Sequence, residues 1–127
     1  MNEYTRRKES LQLLGFSSYR KYLRSELWHS IRAAKLKRDP ECYGCGSTQY
    51  MQVHHSDYSL KVLTGEDERG LWSVCKYCHR FCEFATDGCK RSPSEATDEL
   101  KRLHRTYYGR NIQRRVNRIH RGRKKRS

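Results

Sequence analysis

Two closely spaced pairs of cysteines constrain the fold of this chain more than any other feature of its sequence. Cys42 and Cys45 are separated by Tyr-Gly, and Cys75 and Cys78 are separated by Lys-Tyr, so each pair forms a CxxC knuckle. Each knuckle lets two thiolates approach one ion, and two knuckles complete the closed tetrahedral shell of a structural zinc site. We therefore predict that these four cysteines bind one structural Zn²⁺.

Disulfides and a redox dithiol are the alternatives to a metal site. Six cysteines in a chain without a secretory signal favour metal ligation, because thiols inside the cell stay reduced. A redox CxxC is expected beside a thioredoxin-like βαβ pattern, and neither pair has one. Cys82 and Cys89 lie outside both knuckles, and we predict that each is a free thiol, either buried or on the surface.

The 29 residues between the knuckles exceed the usual gap of a zinc ribbon, which indicates an insertion. Within it, residues 50–55 alternate as a short strand does, and residues 71–74 predict a second strand that leads into the second knuckle. Residues 56–70 read as a loop, and residues 76–86 as a helix. Since successive side chains of a strand point to opposite faces, the adjacent His54 and His55 are expected to serve different purposes.

The flanking segments carry helix signals. Ser18 and Ser25 can cap two helices, in SYRKYL and SELWHSIRAAKLKRDP, whose side chains we assign to packing. Ser92 to Glu95 form a capping box with proline at the first helical position. Apolar residues then recur at helical spacing up to Tyr107, and Gly109 is expected to end or bend that helix.

Net charge is +14, and the segment 110–127 contains nine Lys or Arg and no acid. A polyanion is therefore the expected partner, and the alternatives are a merely solvated tail or a membrane surface. Without an amphipathic aromatic anchor near this segment, nucleic acid is favoured over lipid. The segment is predicted to include a basic helix, Arg110 to His120, that orders on its partner. The candidate nucleic-acid-binding residues are Arg110, Arg114, Arg115, Arg118, Arg121, Arg123, Lys124, Lys125 and Arg126.

Hydropathy predicts a soluble, cytoplasmic protein. No apolar run approaches the roughly 20 residues that a membrane span needs, and the first residues lack the apolar segment of a signal peptide. We expect one small domain and no membrane partner. The oligomeric state is not indicated.

Taken in order, the motifs CYGC, VHHSDY and LWSVCKYCH resemble the HNH endonuclease family, over about residues 40–84. The upstream segment YRKYLRSELWHSIR is also similar to the helical lead-in of such domains. The resemblance implies an α+β fold, in which a small ββα-metal core with a structural zinc site is flanked by N-terminal helices and a C-terminal basic helix. The expected organisation is a helical lead-in (1–39), an HNH-like zinc domain (40–90), a helix (91–109) and a basic tail (110–127).

The resemblance also assigns roles to the histidines. It implies that His54 and His79 hold a catalytic divalent ion, Mg²⁺ or another, and that His55 is the general base that activates water. Glu83, four residues after His79 on the same helix face, is a further candidate ligand. The activity implied is hydrolysis of DNA, most simply double-stranded, to products with a 5′-phosphate and a 3′-hydroxyl. His29, His104 and His120 have no such setting and are predicted to lie on the surface.

One position departs from the family. Gly70 stands where the family usually has the asparagine that orients the general base, nine residues before the last histidine. Asp57 or Asp67 could substitute, a backbone carbonyl could orient the ring, or activity is reduced or lost. The alternative function is therefore a catalytically inactive, zinc-stabilised nucleic-acid-binding module. DNA versus RNA, sequence specificity and nicking versus double-strand cleavage are not indicated by the sequence.

Overall fold

The computed structural model describes residues 2–108 of the 127-residue chain. The predicted basic helix and all nine candidate nucleic-acid-binding residues of the tail, together with Gly109 and His120, lie outside this range. Helices and strands follow in the order α1 Glu3–Leu13, α2 Tyr19–Leu23, α3 Glu26–Arg38, β1 Met51–His55, α4 Leu60–Leu63, β2 Leu71–Cys75, α5 Lys76–Glu83 and α6 Pro93–Leu103. A 3₁₀ turn, Glu68–Gly70, precedes β2, and a π-helical turn, His104–Tyr108, follows α6.

Serine side chains begin the helices as the sequence predicts. Ser18 Oγ accepts from the backbone N–H of Lys21 at the start of α2, and Ser25 Oγ accepts from that of Trp28 at the start of α3. Ser92 and Glu95 form the reciprocal capping box of α6. These caps satisfy backbone donors that the first helical turn leaves without partners, so the helix starts are fixed locally.

Strands β1 and β2 form a two-stranded antiparallel sheet, and α5 follows β2 directly. His54 lies opposite Trp72, and His55 lies opposite Leu71. Because directly paired residues share a face and successive residues alternate, His54 and His55 point to opposite faces of the sheet, as predicted.

The helices and the two-stranded sheet make an α+β fold. Two apolar clusters lie against the sheet. The first packs helices α1 to α4 against Val53 and Leu71. It consists of Leu11, Tyr22, Trp28, Val53, Tyr58, Val62, Leu63 and Leu71. The second packs the knuckles, α5 and α6 against Val74. It consists of Cys42, Val74, Cys75, Cys78, Cys82, Ala96, Leu100 and Leu103.

The segment 56–70, predicted as a loop, contains the short helix α4 and the 3₁₀ turn. Ser59 caps α4, whose Val62 and Leu63 are fully buried, so this helix supplies core side chains. The predicted helix 76–86 is shorter than expected, because Phe84 adopts an extended backbone and pairs with Lys90. Within residues 2–108, none of the helices is long and apolar enough to cross a membrane.

Candidate functional site

Four cysteine sulfur atoms converge between the two knuckles. The Sγ atoms of Cys42, Cys45, Cys75 and Cys78 all lie within 4.8 Å of one another. Sγ of Cys45 is 3.8 Å from Sγ of Cys75. Zn–S bonds of about 2.3 Å place the sulfur atoms of a tetrahedral site about 3.8 Å apart, so this spacing suits zinc. The cluster could hold a structural metal such as zinc, in agreement with the prediction from sequence.

Close backbone packing shapes the first knuckle. A Cβ atom added to Gly44 would lie 3.1 Å from Cys78 Sγ and 3.1 Å from Leu103 Cδ2, so a side chain here would disturb the cluster. Gly46 has a φ of +79°, which glycine adopts at no steric cost, and its N–H donates to the Cys42 carbonyl over 2.8 Å. Together the two glycines let the knuckle close around the sulfur atoms.

The neighbouring thiols of the cluster shift one another's pKa values. A hydrogen bond from Cys78 lowers the pKa of Cys42 to about 4, and the same bond raises the pKa of Cys78. Burial raises the pKa of Cys45 to about 11. Within the described residues none of the six cysteines forms a disulfide. Adjacent thiolates repel one another, so full deprotonation of the cluster needs a cation between them.

The two cysteines outside the knuckles differ in exposure. Cys82 is buried and Cys89 is exposed. Burial raises the pKa of the Cys82 thiol to about 11, which makes it unreactive at neutral pH. Neither belongs to the group of four sulfur atoms that could hold a metal.

A separate cavity of about 280 Å³ is lined by the residues that the resemblance implies for catalysis and for binding a divalent ion. His54, His55, His79 and Glu83 all line it. His54 and His55 lie on opposite faces of β1 at its C-terminal end, and His79 and Glu83 lie one turn apart on α5. The fold therefore brings together side chains separated by up to 29 positions in the sequence.

Two consecutive hydrogen bonds determine which ring nitrogen of His54 carries the proton. Its Nε2 lies 2.8 Å from Thr97 Oγ1, and the Thr97 hydroxyl donates to the Pro93 carbonyl over 2.7 Å. Since that hydroxyl has only one proton, Thr97 must accept from Nε2–H, which leaves Nδ1 of His54 with a lone pair. Burial, together with the nearby His79, lowers the pKa of His54 to about 4, so the ring is neutral at neutral pH.

His79 is held in the opposite tautomer. Its Nδ1 lies 2.7 Å from Gln52 Oε1, which can only accept, so Nδ1 carries the proton and Nε2 has a lone pair. Nε2 in turn lies 3.8 Å from Glu83 Oε1, one helical turn along α5. Burial lowers the pKa of His79, although Glu83 opposes that shift. An unprotonated nitrogen and a carboxylate that face each other in this way suit a shared cation.

The His54 and His79 rings have centroids 5.3 Å apart and meet edge to face. Within residues 2–108, only the four cysteines have ligand atoms that all lie within 4.8 Å of one another. The ring nitrogens of His54 and His79 and the Glu83 carboxylate are therefore farther apart as a group. The cavity is therefore an open arrangement of donors, in contrast to the closed sulfur cluster.

His55 is buried on the other face of the strand, with 4% of its surface exposed. Its ring lies 4.5 Å from the Trp28 ring, and its Nδ1 lies 2.9 Å from the Tyr19 hydroxyl. Nε2 is buried and has no hydrogen-bond partner among the described residues. Burial lowers the pKa of His55 to about 3, so the imidazole is neutral over the physiological range.

Gly70 leaves no space for a side chain. A Cβ atom at Gly70 would overlap Val62 Cγ2, so helix α4 occupies the space that a larger residue would need. Asp57 accepts from the N–H of Ser59, and Asp67 pairs with Arg69. Neither acid is hydrogen-bonded to His55.

Three partners of the histidines were not identified from the sequence: Tyr19, Gln52 and Thr97. Tyr19 belongs to a helix assigned to packing, and Thr97 follows Ala96 on α6 with no motif of its own. The alternation of β1 was the one available signal for Gln52, since it places residue 52 on the face of His54.

Two further histidines lie outside the cavity. His29 is exposed, as predicted. His104 is half-buried: its ring stacks on Tyr43 with centroids 4.1 Å apart, and its Nδ1 lies 2.8 Å from the Tyr43 carbonyl. This contact joins the end of α6 to the first knuckle.

No protein-family model, curated protein or solved structure matches this chain.

Proposed function

We propose that this chain is a metal-dependent endonuclease of the HNH type that hydrolyses phosphodiester bonds of DNA. The observation that carries the proposal is the cavity. Each of its three histidines has one ring nitrogen hydrogen-bonded, and the other nitrogen either has no hydrogen bond within residues 2–108 or faces a carboxylate. Buried histidines are normally hydrogen-bonded for stability alone, so the distinguishing observation is that these three rings line one cavity together with Glu83.

The donor set suits a divalent ion. Nδ1 of His54 and Nε2 of His79 carry lone pairs, and Glu83 adds a carboxylate 3.8 Å from the latter. Two imidazoles and one carboxylate that do not close around a point leave positions for water and for a phosphate oxygen, as catalytic sites require. A divalent ion held here would neutralise the scissile phosphate and stabilise the leaving oxygen.

His55 acts as the general base. Its Nε2 takes a proton from water as the water oxygen bonds to phosphorus, and the phosphorus–O3′ bond breaks. The departing O3′ takes a proton from a second water, which gives a 5′-phosphate and a 3′-hydroxyl. Since each water takes up about 30 Å³, the cavity has room for the attacking molecule.

Positive charge surrounds the cavity. Arg32, Lys90 and Arg91 line it, and among the described residues Glu83 is its only acidic lining residue. This balance favours an anionic substrate, and the nine basic residues of the tail add sequence-independent attraction to the phosphate backbone.

A zinc-stabilised nucleic-acid-binding module is the second candidate function. It is favoured by the depth of His55, whose Nε2 is fully buried and therefore reaches water only if the surrounding side chains move. In that case the sulfur cluster would maintain the fold, and the histidine cavity would have no role in cleavage.

A cleavage assay separates the two. Full-length, zinc-loaded protein is incubated with supercoiled plasmid and with single-stranded RNA, in Mg²⁺ or Mn²⁺, with and without a chelator. Metal-dependent relaxation of the plasmid supports the nuclease. His54→Ala and His79→Ala should shift cleavage to higher ion concentration, whereas His29→Ala, at an exposed site outside the cavity, should match the wild type. DNA binding without cleavage in any ion would support the second candidate.

A further inference from the structure

We propose that Tyr19 is the positioning residue for His55, and that its hydroxyl accepts from Nδ1–H so that the lone pair is left on Nε2. The role of His55 as a base rests on the proposed function. The hydrogen bond and the tautomer, in contrast, are properties of the folded chain that can be measured without any cleavage.

The contact itself is well defined. The Tyr19 hydroxyl and His55 Nδ1 are 2.9 Å apart, although 36 positions separate the two residues. A neutral imidazole carries one N–H, so a proton on Nδ1 leaves the lone pair on Nε2. That is the state a general base needs, and Nε2 has no partner among the described residues.

Nothing at the usual asparagine position performs this task. A side chain at Gly70 is excluded by Val62, and the Gly70 carbonyl accepts from the N–H of Ser56 over 2.8 Å as part of the strand pairing. Among the described residues, Tyr19 is therefore the side chain that holds His55 Nδ1.

The surroundings hold Tyr19 in place. Its ring meets the Tyr58 ring edge to face with centroids 5.5 Å apart, and the Arg7 guanidinium lies 4.5 Å from its ring centroid. Ser18, one residue before, caps α2. Because Arg7 lies on α1 and Tyr19 on α2, both N-terminal helices contribute to the surroundings of His55.

The test uses full-length, zinc-loaded protein labelled with ¹⁵N at histidine, and long-range ¹H–¹⁵N correlation spectra that distinguish protonated from unprotonated ring nitrogens. The wild type should show His55 with a protonated Nδ1 and an unprotonated Nε2. In Tyr19→Phe, which retains the ring and loses the hydroxyl, the Nε2–H tautomer should appear. The kcat for plasmid cleavage should then fall about 10- to 100-fold with KM unchanged, as for lost partners of other oriented histidines.

Tyr22→Phe is the matched control. Tyr22 lies on the same helix with its ring 5.9 Å from His55, but its hydroxyl donates to the Leu63 carbonyl over 2.8 Å. This variant should lower the thermal midpoint and leave the His55 tautomer and kcat unchanged. A loss of kcat in Tyr19→Phe that arose from instability alone would therefore appear in both variants.

Two results would overturn the proposal. One is a wild-type spectrum with the proton on Nε2, which would make Tyr19 a donor and remove the lone pair from Nε2. The other is an unchanged tautomer in Tyr19→Phe. If the wild type cleaves nothing, the function is wrong, and the spectra alone decide whether Tyr19 fixes the ring.

Discussion

His79 Nε2 lies 3.8 Å from Glu83 Oε1, and the one N–H of the neutral imidazole, on Nδ1, donates to Gln52. Both facing atoms are acceptors when the ring is neutral, so the pair is better satisfied by a cation than by direct contact. The pair therefore marks one side of the proposed ion site, and the lone pair of His54 Nδ1 marks the other.

Glu83→Gln tests this pair, because the amide retains the shape of the side chain and removes its charge. We expect the Mg²⁺ or Mn²⁺ concentration for half-maximal cleavage to rise about 10-fold or more, with the KM for DNA little changed. Glu66→Gln, at an exposed acid outside the cavity, is the control. Identical ion dependence in both variants would exclude Glu83 as a ligand.

The cluster of four cysteine sulfur atoms predicts the zinc content of the purified protein. Purified protein should contain about one Zn²⁺ per chain, and Cys45→Ser or Cys78→Ser should unfold the domain, because zinc binding contributes to folding. Elemental analysis and circular dichroism measure both effects. Cys89→Ser, at an exposed cysteine outside the cluster, should retain zinc and fold. A well-folded wild type that contains no zinc would contradict this assignment.

Thr97 connects His54 to the Pro93 carbonyl, so its removal should affect both stability and ion binding. Thr97→Val leaves a buried imidazole N–H without a partner, which costs about 1–3 kcal/mol of unfolding free energy. Chemical denaturation measures this loss, and Thr97→Ser, which retains the hydroxyl, should recover most of it. Equal stability of the Val and Ser variants would show that the hydrogen bond does not contribute.

Local signals predicted much of this fold. The CxxC spacing, the capping box at Ser92 and the alternation through His54 and His55 each depend on residues close together in the sequence, and the structure agrees with all three. Helix α4 was missed because four residues are too few to show helical periodicity.

The partners of the histidines could not be predicted in the same way. Tyr19 and His55 are 36 positions apart, and His54 and Thr97 are 43 apart. Each contact depends on how helices pack against the sheet, which no spacing rule specifies. Likewise, the obstruction at Gly70 arises from Val62, whose position depends on the unpredicted helix α4.

The basic tail should make the affinity for DNA depend on salt concentration. If about four to six phosphates are contacted, log K for duplex DNA should fall with log salt at a slope of roughly −4 to −5. Deletion of residues 110–127 should flatten that slope and weaken binding to all sequences alike. A tail of equal length with glutamine in place of each Lys and Arg is the control for length. An unchanged slope after deletion would place the binding face elsewhere.

The most direct test of the central claim is the single-turnover rate of plasmid cleavage by His55→Ala and the size-conserving His55→Gln, compared with wild type at saturating Mg²⁺. Zinc content and DNA affinity are measured on the same samples to show that each variant is folded. A lost general base predicts a rate about 10² to 10⁴ lower in both variants, with zinc and DNA binding retained. Equal rates in wild type and folded His55 variants would contradict the assignment of His55 as the base.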